Sequence, residues 1–223
     1  MRVYSLNSVD SADGLHAVND SDYPLLRSIG LLARQMNMWS PVRVLPSSTV
    51  RGGRAKTLMD IAHVSGMRTI PALSQRAHDC LAASLSDRVE WLPLESPGSN
   101  FYIANVIRAS QALDYSLSIL EKDSSGKVNN IQVYAFNEIA VANELIFKVP
   151  DWTYDVLVTD AFVDLVKENR LKGFFFSPVW DSNVAPFKCR PTTADVPLRK
   201  DVYGPGGIMT GFNSYWPKEW KSA

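Results

Sequence analysis

Two stretches, residues 73–94 (LSQRAHDCLAASLSDRVEWLPL) and 158–179 (VTDAFVDLVKENRLKGFFFSPV), repeat one order of apolar and polar positions. In each, an apolar residue (Leu73, Val158) precedes a hydroxyl residue (Ser74, Thr159), a type suited to accept from the free N–H groups at a helix start. An apolar stripe follows at Ala77, Cys80 and Leu81, and at Phe162, Leu165 and Val166, the spacing of one helix face. After a polar break comes a β-rich run, Val89–Leu92 or Phe174–Phe176, which Pro93 or Pro178 is expected to close because proline cannot donate to a ladder. The identities between the two stretches are Asp79 with Asp164 and Pro93 with Pro178, so the repeat is one of physical pattern. It predicts an α+β fold in which two pseudo-repeated strand–helix–strand units surround a mixed or antiparallel sheet. Side chains alternate along a strand, so at least one of Phe175 and Phe176 is expected to be fully buried, and Phe176, in register with Trp91, is the choice.

Elsewhere the pattern is shorter in range. Residues 1–6 read as a strand and 7–22 (NSVDSADGLHAVNDSD) as a polar loop. Pro24 sits near the start of a helix whose stripe is Leu25, Ile29, Leu32 and Met36. A strand is expected within Trp39–Pro46 and a flexible turn over 47–56 (SSTVRGGRAK). Short apolar runs at Ile61–Val64, Phe101–Ile107, Leu117–Leu120, Ile131–Phe136 and Leu145–Val149 read as strands, with DSSGKVNN at 123–130 turning a hairpin. Trp180 reads as a core anchor. From residue 181 periodicity disappears into a Pro- and Gly-rich tail ending in GFNSYWPKEW. No clean linker divides the chain, so residues 1–223 are taken as one domain, with 1–60 a possible subdomain and 181–223 an irregular tail.

Composition narrows the function classes. Of 223 residues 46% are hydrophobic, enough for a real core. Lys plus Arg number 23 and Asp plus Glu 23, so no global field draws nucleic acid or a basic partner. Two cysteines, Cys80 and Cys189, are too few to staple the chain, and Cys80 lies on an apolar stripe. There is no apolar leader in MRVYSLNSVDSADG and no long apolar span, which points to a soluble, cytoplasmic protein. The three histidines, His16, His63 and His78, offer no i,i+3 or i,i+4 metal pair, so neither a metal nor a cofactor is expected. His78 reads as a boundary imidazole. The GPGG at 204–207 lacks the strand, helix and Lys-Ser/Thr of a phosphate loop, and the single RGGR at 51–54 reads as a turn. No catalytic residue is assigned.

Residues 60–182 also carry an ordered set of motifs: Ser74 before a helix, the Trp91-Leu92-Pro93 close, Tyr102 with Asn105, Leu113-Asp114 with Ser118, Thr159 before a second helix, and Gly173 to Val179. In this order they resemble the bacterial polymorphic-toxin immunity protein family eleven, a myxobacterial-type immunity domain. The resemblance implies a cytoplasmic antidote that binds the toxic domain of a cognate effector without catalysis, and it implies nuclease toxins of the HNH-like type as partners. The other readings are an interaction module unrelated to toxins and an uncharacterised enzyme.

Three segments are candidates for partner binding, of which Trp180-Asp181 reads rather as a core anchor. Asp10, Asp13, Asp20 and Asp22 form an acidic loop without Lys or Arg, suited to a cationic nuclease cleft or else to Asx turns. Tyr215, Trp216 and Trp220 are of the types that dominate interface hot spots, or else seal an edge of the domain.

Overall fold

A computed structural model of the chain describes residues 1–183 other than 11, 31 and 52–55. In chain order the elements are β1 (Arg2–Ser8), β2 (Leu15–Ala17), α1 (Tyr23–Ser28), β3 (Val42–Pro46), α2 (Ser47–Arg51), β4 (Ile61–Val64), β5 (Met67–Ser74) and α3 (Gln75–Leu81). There follow β6 (Val89–Glu95), β7 (Phe101–Val106), β8 (Ile119–Lys122), β9 (Val128–Val133), α4 (Glu138–Val141), β10 (Ile146–Val149), β11 (Trp152–Thr159), α5 (Asp160–Glu168) and β12 (Phe174–Asp181). The class is α+β, with mixed and antiparallel sheets as expected. Strands β2-β3-β6-β7-β5-β4 close into a barrel, β10-β11-β1-β12 make an open four-stranded sheet, and β8–β9 form a separate hairpin.

The order strand–helix–strand recurs in both pattern stretches, as β5–α3–β6 and β11–α5–β12. β5 and β6 each pair antiparallel with β7, which lies between them, and are therefore parallel to one another. β11 and β12 bracket β1 in the same way. A parallel pair needs a crossover, and each helix supplies one. The local chemistry of the two units differs. Ser74 Oγ accepts from Ala77 N at 3.2 Å, a true cap, whereas buried Thr159 donates its hydroxyl to Glu144 O at 2.7 Å and caps nothing.

The four-stranded sheet is buried on both faces. Tyr4 and Leu6 of β1, and Val156 and Val158 of β11, join α3 and α5 in one core, whereas Val3 and Leu157 pack with Phe136, Phe147 and Trp180 in a second. This is the period-two alternation of strands. A third core, with Leu15, Val44, Ala72, Leu92 and Ile103, comes from the barrel strands and α1. Polar clips join the layers. Asp60 accepts from Ser74 Oγ at 2.8 Å, Arg76 at 2.9 Å and Lys172 N at 2.7 Å. Buried Glu144 takes a bidentate contact from Arg108 at 2.8–3.0 Å.

Several expectations are corrected. Pro93 and Pro178 lie inside their strands, not at the ends. Pro178 is on an edge strand beside a register shift, where a missing N–H is tolerated. Neither Phe175 nor Phe176 is fully buried. β12 has a neighbour on one side only, and Phe176 lies half-buried against the rings of Tyr4, Phe162 and Phe174. The helix expected to reach Met36 stops at Ser28, because Ile29 is extended and Gly30 and Leu32 take positive φ (+92° and 63°). Part of the expected turn at 47–56 is α2, and the polar loop 7–22 contains β2. The tail from 184 onward, with Cys189, lies outside the described residues.

Candidate partner-binding surface

Between α1 and β3 the chain includes a short 3₁₀ turn at Met36–Met38, and three buried polar side chains hold the backbone of this connection from beneath. Lys148 of β10, wholly buried, donates from Nζ to Gly30 O at 3.0 Å. Asn105 of β7, 1% exposed, donates from Nδ2 to Ala33 O at 3.0 Å and to Glu90 Oε2 at 3.0 Å. Glu90 of β6, 6% exposed, accepts from Gln35 N at 2.7 Å and Met36 N at 3.0 Å. Trp39 Nε1 donates to Pro93 O at 2.8 Å and fixes the exit into β3. A Cβ on Gly30 would stand 2.8 Å from Lys148 Nζ, so both the positive φ and the close approach require glycine there. Burial pushes the Lys148 ammonium down to about 8, against a smaller upward pull from Asp155.

Above these anchors the loop presents apolar side chains to solvent. Met36 is 47% and Met38 75% exposed, and Arg34 is exposed beside them. A second outward apolar group, Tyr115, Leu117 and Ile119, borders the β8–β9 hairpin. There a cavity of about 300 Å³ is lined by Tyr115, Leu120, Lys122, Lys127, Pro150 and Asp151 among others. Tyr115 donates to Asp151, and burial followed by that contact pushes its hydroxyl up to about 12.

The residues singled out from sequence are dispersed. Asp10 and Asp20 are exposed and Asp22 is partly so. Asp22 accepts from Asn19 Nδ2 at 3.3 Å within a short 3₁₀ turn. Asp13 does not share their surface: it is 3% exposed and accepts from Ser48 N at 3.2 Å and from the Ser48 hydroxyl. Tyr215, Trp216 and Trp220 lie outside the described residues. His78 stacks on Tyr102 at 4.4 Å and meets Asp79 at 3.0 Å, a boundary position. Among the described residues no group of three or more His, Cys, Asp or Glu comes together as metal ligands would.

The motif residues prove to be joints. Tyr102 donates to Gln75 Oε1 at 2.8 Å, and Asn105 is one of the loop anchors. Asp114 accepts from Ser116 and Leu117 amides, and the Ser116 contacts hold its carboxyl below the usual range. Ser118 Oγ binds both the N–H and the carbonyl of Ala135. Gly173, at φ +89°, has no room for a Cβ, which would lie 2.6 Å from Met59 Cβ. Glu90 and Lys148 were missed from sequence. The available signal was a lone charge inside an apolar strand, in VEWLPL and in LIFKVP, which must find a partner when buried.

With this geometry in place, the class of protein follows from a family comparison: residues 39–181 match a family of immunity proteins, which neutralise toxins. The family is the Immunity protein family (Imm11), and the chain belongs to it. No curated protein matches the chain.

Proposed function

We propose that this protein acts in the cytoplasm as the antidote to one cognate toxin domain, binding it and blocking it by occlusion, with no catalysis of its own. The family match over residues 39–181 carries this reading. Among the described residues no helix is long and apolar enough to cross a membrane, in keeping with a cytoplasmic site of action. The nuclease character of the toxin comes from the family resemblance, and Asp10, Asp20 and Asp22 are the charges that would face a cationic cleft. Co-expression with a candidate cognate toxin domain provides the test. Growth should be rescued, a stoichiometric complex should be purified, and toxin released from it should be active and chemically unchanged. A toxin that kills despite co-expression would refute the antidote reading. A toxin recovered covalently altered would make the protein an enzyme instead.

A further inference from the structure

We propose that residues 32–38 form the toxin-docking element: Met36 and Met38 seat on an apolar patch of the toxin, and Arg34 pairs with a carboxylate at that patch's rim. This rests on the reading above that the chain binds a toxin, and it names the surface and the partner's chemistry. Three observations carry it. First, the backbone at and just before this segment is bonded by three buried side chains from three strands, Lys148, Asn105 and Glu90. Burying such groups is costly compared with apolar packing. Such a network fixes one conformation, and a loop held in its bound shape loses little entropy on association. Second, what the fixed loop displays is soft apolar surface, Met36 and Met38 being 47% and 75% exposed. Thioether side chains adapt well to a partner's relief. Third, Arg34 is the sole charged residue between Ile29 and Pro41, and it makes no ion pair among the described residues. The segment is therefore apolar with one positive charge, and the surface that complements it is an apolar patch with a carboxylate at its rim, separate from the cationic cleft that Asp10, Asp20 and Asp22 would face.

The anchors also divide from the tip. Glu90, Asn105 and Lys148 lie inside the family match, which begins at Trp39, whereas Arg34, Met36 and Met38 come just before it.

The test measures binding of the purified toxin domain to the full-length protein. The paired change Met36→Asp with Met38→Asp touches exposed side chains, so the melting temperature should hold while affinity falls by roughly 100-fold or more. Arg34→Glu should weaken binding about 10-fold, mainly through the on-rate at low salt. Glu90→Gln should speed hydrogen exchange at the Gln35 and Met36 amides and weaken binding with the tip intact. If that variant fails to fold, the methionine pair still decides. Wild-type protein that forms no complex would overturn both this proposal and the antidote reading. Wild-type binding with the methionine variant within about threefold of it would overturn the loop alone. A methionine variant that changes the oligomeric state but not toxin affinity would assign the face to a second copy of the chain and refute the proposal.

Discussion

Lys148 makes the protein's stability depend on pH in an unusual direction. Its ammonium titrates at about 8 in the folded chain against 10.5 for an ordinary lysine. That gap corresponds to about 3 kcal/mol of differential stability between the two protonation states. The unfolded chain holds the proton more tightly, so between pH 8 and 10.5 it binds more protons than the folded chain. Stability therefore rises with pH through that window, and below about pH 8 the cost of the buried charge is fully present. Tyr4 works the other way higher up: burial and Asp160 raise its hydroxyl from 10.0 to about 12, so folded stability falls once unfolded tyrosine ionises. The clean interval thus runs from pH 8 to roughly pH 10, over which wild type should gain about 2 kcal/mol from this group. Lys148→Met keeps the length of the side chain, abolishes the titration and removes the donor to Gly30 O. The lost bond costs about 1–3 kcal/mol, so at neutral pH it largely offsets the relief of the buried charge. Urea melts of both proteins at several pH values provide the assay. The stability difference should tilt towards wild type as pH rises. A difference constant to within about 0.5 kcal/mol across the interval would refute the account of Lys148 as a desolvated cation.

Two further outcomes are expected. Phe162→Ala, at a fully buried site, should cost about 3–5 kcal/mol and Phe176→Ala, half-buried on an edge strand, about 1–2 kcal/mol; equal losses in denaturant melts would contradict the burial assignment. Replacing Asp10, Asp20 and Asp22 by Asn should leave the melting temperature unchanged and slow toxin association at low ionic strength, whereas Asp13→Ala alone should cost about 1–2 kcal/mol because Ser48 loses its acceptor. An unchanged on-rate at low salt for the triple variant would remove the acidic patch from the interface.

Where periodicity and burial coincide, the fold was legible. The stripes Ala77–Leu81 and Phe162–Val166 gave α3 and α5, and the apolar runs gave most strands, because one repeat of side chains faces one core. Legibility failed where a tertiary contact overrides the local pattern. Met36 continues the spacing of Leu25 and Ile29, but Gly30 and Leu32 break the helix, and the backbone beyond is held by residues more than fifty positions away. Thr159 and Asp13 look like surface hydroxyl and carboxylate until the turn before β10, through Glu144, and α2, through Ser48, arrive to bond them. The candidate surface was hidden for the same reason: its apolar tip passes for a helix face, and its anchors are single polar or charged residues in strands.

The position of β1 between β11 and β12 sets a timetable for synthesis. As the chain leaves the ribosome, Arg2–Ser8 emerges well before its two neighbours, Trp152–Thr159 and Phe174–Asp181. At about 5–20 residues per second, this strand waits on the order of ten seconds for either partner. During that interval its edges are open to stray pairing. A cell relying on this antidote is thus protected by molecules already finished, not by those still being made.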